Sequence, residues 1–136
     1  MDEKHSRELV EKRPLLYADV GKPPHQSLMY FGFACNDGWF ALVSDLSDEL
    51  EALIKAWRKN HPKEKTWPRA FQVKEKFGGL RFYMTFGSEE IFSAIHEAED
   101  ASFRVCELCG KAGKPRNICG WITTLYEKCM ETDGKA

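Results

Sequence analysis

The segment Lys74–Tyr83, KEKFGGLRFY, constrains the fold more than any other stretch of the chain. Two glycines stand between runs of alternating apolar and polar residues. That is the pattern of a tight β-hairpin, whose loop needs positive φ at one or both central positions. With Gly78 and Gly79 as a two-residue loop, Phe77 faces Leu80, Lys76 faces Arg81, Glu75 faces Phe82, Lys74 faces Tyr83 and Val73 faces Met84. Successive side chains point to opposite faces. One face then carries Phe71, Val73, Glu75, Phe77, Leu80, Phe82, Met84 and Phe86, and the other Gln72, Lys74, Lys76, Arg81, Tyr83 and Thr85.

Two consequences follow for the charges. Lys76 and Arg81 are directly opposed like charges, with Lys74 close by on the same face. Such a cluster destabilises a sheet unless an anion answers it. The anion is either one of the protein's own carboxylates or a partner's. Lys74, Lys76, Arg81 and Tyr83 are therefore the candidate partner- or anion-binding residues. Glu75 is the converse case, a carboxylate on the apolar face. It must be paired, protonated or held at the rim, and the expectation is a rim position facing a cation from elsewhere in the fold.

The overall charge of −1 hides a pattern: residues 1–54 carry −5, residues 55–81 carry +7 and residues 82–136 carry −3. The basic middle either balances its acidic flanks within the fold or meets an anionic partner.

Elsewhere the pattern is mostly helical. Residues 6–13 suit a short helix capped by Ser6 and ended by Pro14. Leu28–Ala34 reads as an apolar strand, Asn36–Gly38 as a turn, and Trp39–Val43 as a resumed apolar run. Leu46, Leu50, Leu53, Ile54 and Trp57 then form one face of a helix over 45–59. Its acidic start and basic end suit the helix dipole. Ser88 caps a further helix near 88–104, with Ile91, Ile95, Ala98, Ser102 and Val105 on its apolar face. Its acids Glu97, Glu99 and Asp100 are placed to answer the hairpin's cations. The 136 residues suit one main domain, and 43% hydrophobic residues suffice for a core. The resulting fold class is α+β: a small antiparallel sheet with the Gly-Gly hairpin, covered by two to three helices over 1–104, plus a cysteine-rich zinc-knuckle-like module over 105–136.

That module is the most chemically specific stretch. Cys106 and Cys109 form a CxxC followed by glycine, a turn that lets two thiolates reach one tetrahedral ion. Cys119 follows after nine residues and Cys129 after nine more, so the chain can supply four soft ligands for a closed structural zinc site. A reduced metal-free terminus and a redox dithiol are the alternatives. Trp121–Met130 reads as a closing helix that projects Cys129. Cys35 reads as a buried thiol in an apolar strand. The odd cysteine count and an N-terminus without an apolar leader point to reduced thiols in the cytoplasm. No apolar run approaches the ~20 residues of a membrane helix.

GFACNDGWFALVSDL, QVKEKFGGLRFY, AEDASFRVCELCG and GWITTL occur in that order. Together they resemble a family of small phage- and prophage-encoded proteins without established function, over roughly residues 13–130. The family's ending resembles CxxCG followed by GW-xx-TLC-xx-H. Here Cys106 and Cys109 match the first pair, Tyr126 stands at the later cysteine, and Cys129 at the histidine. The departure leaves three possibilities: Cys119 as the replacement ligand, a three-ligand site with water, or no metal. The resemblance implies a phage accessory protein of the bacterial cytoplasm that binds a host or phage macromolecule.

The reading that follows is a non-enzymatic protein that binds a host or phage protein, a host defence factor included. No phosphate loop, HExxH or nucleophile motif is present, and His5, His25, His61 and His96 lack ligand spacing. The alternative is nucleic-acid binding through the basic hairpin and the zinc module, against which stands a pI of about 6.4.

Overall fold

The structure is a computed structural model describing residues 1–130; residues 131–136, the end of the cysteine-rich stretch, lie outside the described residues. The chain forms helix α1 (Glu3–Lys12), strand β1 (Phe33–Ala34), helix α2 (Phe40–Asn60), the hairpin β2 (Ala70–Lys76) and β3 (Gly79–Met84), helix α3 (Glu89–Ser102), and a second hairpin of β4 (Lys114–Ile118) and β5 (Trp121–Leu125). This is the expected α+β class. The first sheet has the order β1-β2-β3. β2 and β3 pair antiparallel, and the short β1 adds a parallel edge that the sequence did not suggest. Val73, Leu80 and Phe82 turn toward the core, which they share with Leu46, Leu50 and Ile54 of α2 and Ile91 and Ile95 of α3.

The first hairpin exists, but its register is displaced. Lys74 pairs with Arg81, Glu75 with Leu80 and Lys76 with Gly79, so the loop is Phe77–Gly78 rather than Gly78–Gly79. Both loop residues have positive φ, 53° and 85°, the signature of a type I′ turn. The cause lies outside the hairpin. Gly79 is drawn into β3 because the Phe103 ring covers it: a Cβ there would lie within 3.0 Å of three ring atoms. The slip is by two residues, so the side chains of Gln72–Lys76 and Leu80–Tyr83 keep their expected faces; Phe77 moves into the loop, and a register shift between Ala70 and Gln72 turns Ala70 rather than Phe71 into the core. Lys74, not Lys76, is the direct neighbour of Arg81.

The outer edge of β3 is capped by side chains of α3. Ser102 Oγ accepts the Leu80 N–H at 2.9 Å, and Glu99 Oε2 accepts the Phe82 N–H at 3.0 Å. Glu99 therefore serves the backbone of the hairpin and not its cations. Covering an edge in this way protects it from pairing with another chain.

Three other expectations change. The α1 cap is Asp2, which accepts the His5 N–H, rather than Ser6. Leu28–Phe31 forms a 3-10 turn capped by Ser27, so only Phe33–Ala34 of the apolar run is strand. After a second 3-10 turn at Asp37–Trp39, the chain enters α2 at Phe40, five residues early. This segment is shaped by what it must hold. The Trp39 indole is buried and donates to the Val105 carbonyl at 2.9 Å. Gly38 donates its N–H to the Glu107 carbonyl at 2.7 Å, and a Cβ on Gly38 would lie within 3.0 Å of the Cys106 and Glu107 backbone. The glycine of NDG is thus a seat for the cysteine module.

Polar anchors fix the chain that follows α1. Arg13, 3% exposed, donates to Asp48 at 2.9 Å and 2.7 Å and to Ser44. Glu51 accepts the N–H groups of Leu15 and Leu16. Buried Asp19 pairs with Arg69 at 2.8 Å and Lys22 at 2.7 Å.

Candidate metal centre and hairpin face

The sequence around Cys106 folds as a knuckle. The Cys106 N–H bonds the Lys111 carbonyl at 2.7 Å, the Gly110 N–H bonds the Cys106 carbonyl at 2.9 Å, and Val105 bridges Ala112. Gly110 sits at φ 80°, which closes the turn. From there β4 and β5 run out and back, and a turn closed by Cys129 N–H to the Tyr126 carbonyl returns the last thiol to the knuckle. Trp121–Leu125 is strand, not helix, as its Ile122-Thr123-Thr124 run of β-branched residues favours.

The result brings Cys106, Cys109 and Cys129 together, with their sulfurs within 4.8 Å of one another. Thiolates on a tetrahedral ion at ~2.3 Å lie about 3.8 Å apart, so a metal can draw these three in with small movements. Cys106 is buried, Cys109 exposed and Cys129 half-buried. Burial alone raises the Cys106 thiol. The N–H groups of Tyr126, Cys109 and Leu108, with the Cys109 thiol, outweigh burial and hold Cys106 below the ordinary cysteine value. Cys129 is pushed the other way, up to about 11, by desolvation and by the two neighbouring thiols. A triad with one readily ionised sulfur and a neighbour that resists a second charge is one that a cation relieves.

Cys119 does not join them. It occupies the β4–β5 turn at φ 52°, exposed, with Gly120 behind it and the Gly120 N–H held by Asn117 Oδ1 at 2.8 Å. The tight turn that joins Ile118 to Trp121 fixes it at the far end of the hairpin from the knuckle. Cys35 is buried, and burial pushes its thiol up to about 12, an unreactive state.

The candidate contact residues are on one face, as expected. Lys76 and Tyr83 are exposed, and Lys74 and Arg81 are half-buried. Among the described residues none of Lys74, Lys76 and Arg81 has a carboxylate within ion-pair range; Arg81 donates only to the Leu80 carbonyl, and the Lys76 ammonium lies 5.7 Å from the Phe77 ring centroid. Glu75 sits at the rim, as expected, but among the described residues it has no cation in ion-pair range: its Oε2 accepts the Gly78 N–H at 2.7 Å and so braces the turn.

Features that sequence reasoning missed arise where the two hairpins meet. The Thr124 hydroxyl donates to the Gly78 carbonyl at 2.6 Å, and a Cβ on Gly78 would come to 3.1 Å from Ile122. Beside this contact a cleft of about 390 Å³ opens, lined by Glu75, Lys76, Phe77, Gly120, Trp121 and Ile122. Phe77 is 68% and Trp121 69% exposed. Trp121 thus faces solvent. The sequence signal was present in both cases, a bulky aromatic at a glycine turn, FGG and CGW.

A second group, Asp2, His5 and Asp37, also lies within 4.8 Å. It is already engaged in local structure: Asp2 caps α1, and Asp37 accepts the Asp2 N–H at 2.8 Å and meets His5 Nδ1 at 3.1 Å. Among the described residues no helix is long and apolar enough to cross a membrane. No family model, curated protein or solved structure matches the chain.

Proposed function

We propose that this is a non-enzymatic accessory protein of phage or prophage type that binds a host or phage protein in the bacterial cytoplasm. In this reading the C-terminal thiols hold a structural zinc ion, and the first hairpin with its neighbouring cleft forms the contact surface. The observation that carries it is the unanswered cationic face. Lys74 and Arg81 are direct cross-strand neighbours, Lys76 is alongside, and no carboxylate among the described residues pairs with them. Opposed like charges cost stability in a sheet, and an acidic partner surface removes that cost. Phe77 and Trp121 add exposed rings at the edge of the same surface. Exposed aromatic rings and an arginine are among the residues that protein interfaces concentrate.

The zinc assignment rests on donor chemistry. Soft thiolates on a CxxC knuckle favour zinc over hard cations.

A second reading, nucleic-acid binding, is favoured by the exposed rings of Tyr83, Phe77 and Trp121 beside the cations, which suit base stacking and phosphate contact. One experiment separates the two. Tagged protein is used to capture partners from bacterial lysate, with and without nuclease, alongside a K74E/K76E/R81E variant of confirmed folding. A discrete protein that survives nuclease and disappears with the variant supports the binding-protein reading. Nucleic acid that elutes steeply between low and physiological salt supports the second. Equal capture by variant and wild type removes the hairpin face from either.

A further inference from the structure

We propose that the metal held by Cys106, Cys109 and Cys129 keeps a fourth, exchangeable position that accepts a neutral nitrogen donor of the imidazole class. The inference rests on the metal reading above. Its first support is the ligand count: among the described residues, the cluster around the knuckle comprises three thiols. A tetrahedral ion needs one donor more.

The residue placed to supply it is Tyr126. Cys106 and Cys109 are separated by two residues, and so are Tyr126 and Cys129. The second turn is thus built like the first, and Tyr126 occupies the place of its leading cysteine. Its carbonyl accepts the Cys129 N–H at 2.9 Å, which ties residue 126 to the cluster. Its ring is occupied elsewhere, with the Lys111 ammonium 5.4 Å from its centroid.

The other sulfur in the module is out of reach. Cys119 lies beyond Trp121 in the β4–β5 turn, while Leu125 adjoins the knuckle. Four residues of strand separate the two ends, about 13 Å at ~3.3 Å per residue. Glu107, within the CxxC itself, turns its Oε2 to the Asn36 N–H at 3.1 Å.

One side of the thiol cluster is accessible. Cys109 is exposed, and it borders a cleft of about 510 Å³ that also touches His5, Asp37, Asp45 and Gly110. Charge selects the ligand class. A divalent ion with three thiolates already carries a net negative charge, and Asp37 and Asp45 line the approach. A fourth anion is disfavoured there, whereas a neutral imidazole adds no charge and binds zinc-type ions well.

The test uses the full chain loaded with Co(II) in place of the native metal, with the visible ligand-field and thiolate charge-transfer bands as readout. Imidazole is titrated in. The expected result is a saturable shift of the ligand-field bands in the wild type, with the thiolate bands retained. Tyr126→Cys is expected to give a four-thiolate spectrum that imidazole does not move. His5→Ala and Cys119→Ser are expected to leave the starting spectrum unchanged. A wild-type spectrum that is four-coordinate and indifferent to imidazole overturns the inference while leaving the metal reading intact, as does a change of the starting spectrum in either of the last two variants. A chain that takes up no Co(II) overturns the metal reading and the inference with it.

Discussion

Phe77 carries the sharpest conflict between local preference and observed structure. It stands at φ 53° with its ring 68% exposed. The left-handed conformation costs a residue with a side chain roughly 1–2 kcal/mol, and the first position of a type I′ turn favours Asn. An exposed aromatic gains little burial in return. Strain held without a folding gain points to a use for the side chain. Phe77→Asn is therefore expected to raise stability by about 1 kcal/mol in denaturant unfolding while reducing partner capture. A variant that loses both stability and capture would show that the ring serves packing against Trp121 and Ile122 instead. Gly79 is the opposite case, a residue fixed by a neighbour. No feature of KEKFGGLRFY foretells that the Phe103 ring lies over it. For that reason the hairpin was legible, together with its two faces, and its register was not.

Among the elements, the segment after α1 is held by charge, and it allows a pH prediction. Burial works to raise the Asp19 carboxyl, but hydrogen bonds from Lys22 and Arg69 and their charges hold it below the ordinary value. A depressed folded-state value means that ionised Asp19 stabilises the fold above its unfolded pKa of ~3.9, and that this contribution is lost as pH falls through the lower folded value. Asp19→Asn should cost roughly 1.5–3 kcal/mol at neutral pH, the range for hydrogen bonds to charged groups. The gap between variant and wild type should close as urea unfolding is repeated at falling pH, below pH 4. A gap that persists unchanged at the lowest pH would mean that Asp19 acts through shape and not charge. The elements themselves were unequally legible. α2 and α3 are long and periodic, and Ser88 and the buried faces Leu46–Leu50–Ile54 and Ile91–Ile95–Ala98 are where the pattern put them. Leu28–Cys35 and Trp39–Val43 are short apolar runs, in which periodicity cannot separate strand from buried turn or helix. In Trp121–Leu125 two apolar pairs four residues apart, Trp121-Ile122 and Leu125-Tyr126, imitate a helix, and the β-branched centre was the better guide. Of the four expected ligands, three converge. The fourth, Cys119, followed from spacing alone, and spacing does not reveal that a tight turn will hold it away.

The whole molecule is built so that the cysteine module and the cationic hairpin share a boundary. The knuckle rests on Gly38 and Trp39, and β5 holds the Gly78 carbonyl through Thr124. One wall of the cleft, Glu75, Lys76 and Phe77, belongs to the first hairpin. The other, Gly120, Trp121 and Ile122, belongs to the second. A surface made from two elements needs both in place. The second hairpin buries only Thr123, Thr124 and Leu125, beside Cys106 of the knuckle, and small modules of this kind draw much of their order from an ion where one is bound. Removing the metal with a chelator under reducing conditions should therefore do two things. Amide exchange should speed up across β4 and β5 while β2 and β3, anchored by Val73, Leu80 and Phe82, stay protected. Partner affinity should fall by about tenfold or more, equivalent to ~1.4 kcal/mol, although no metal ligand lies on the contact face. Restoring zinc should restore both. If chelation frees β4 and β5 and the partner still binds with full affinity, the contact is confined to Lys74, Lys76, Arg81 and Tyr83, and the cleft is not part of it. If β4 and β5 keep their protection without metal, the docking at Gly38 and Gly78 suffices to order the module, and the thiols serve something other than the fold.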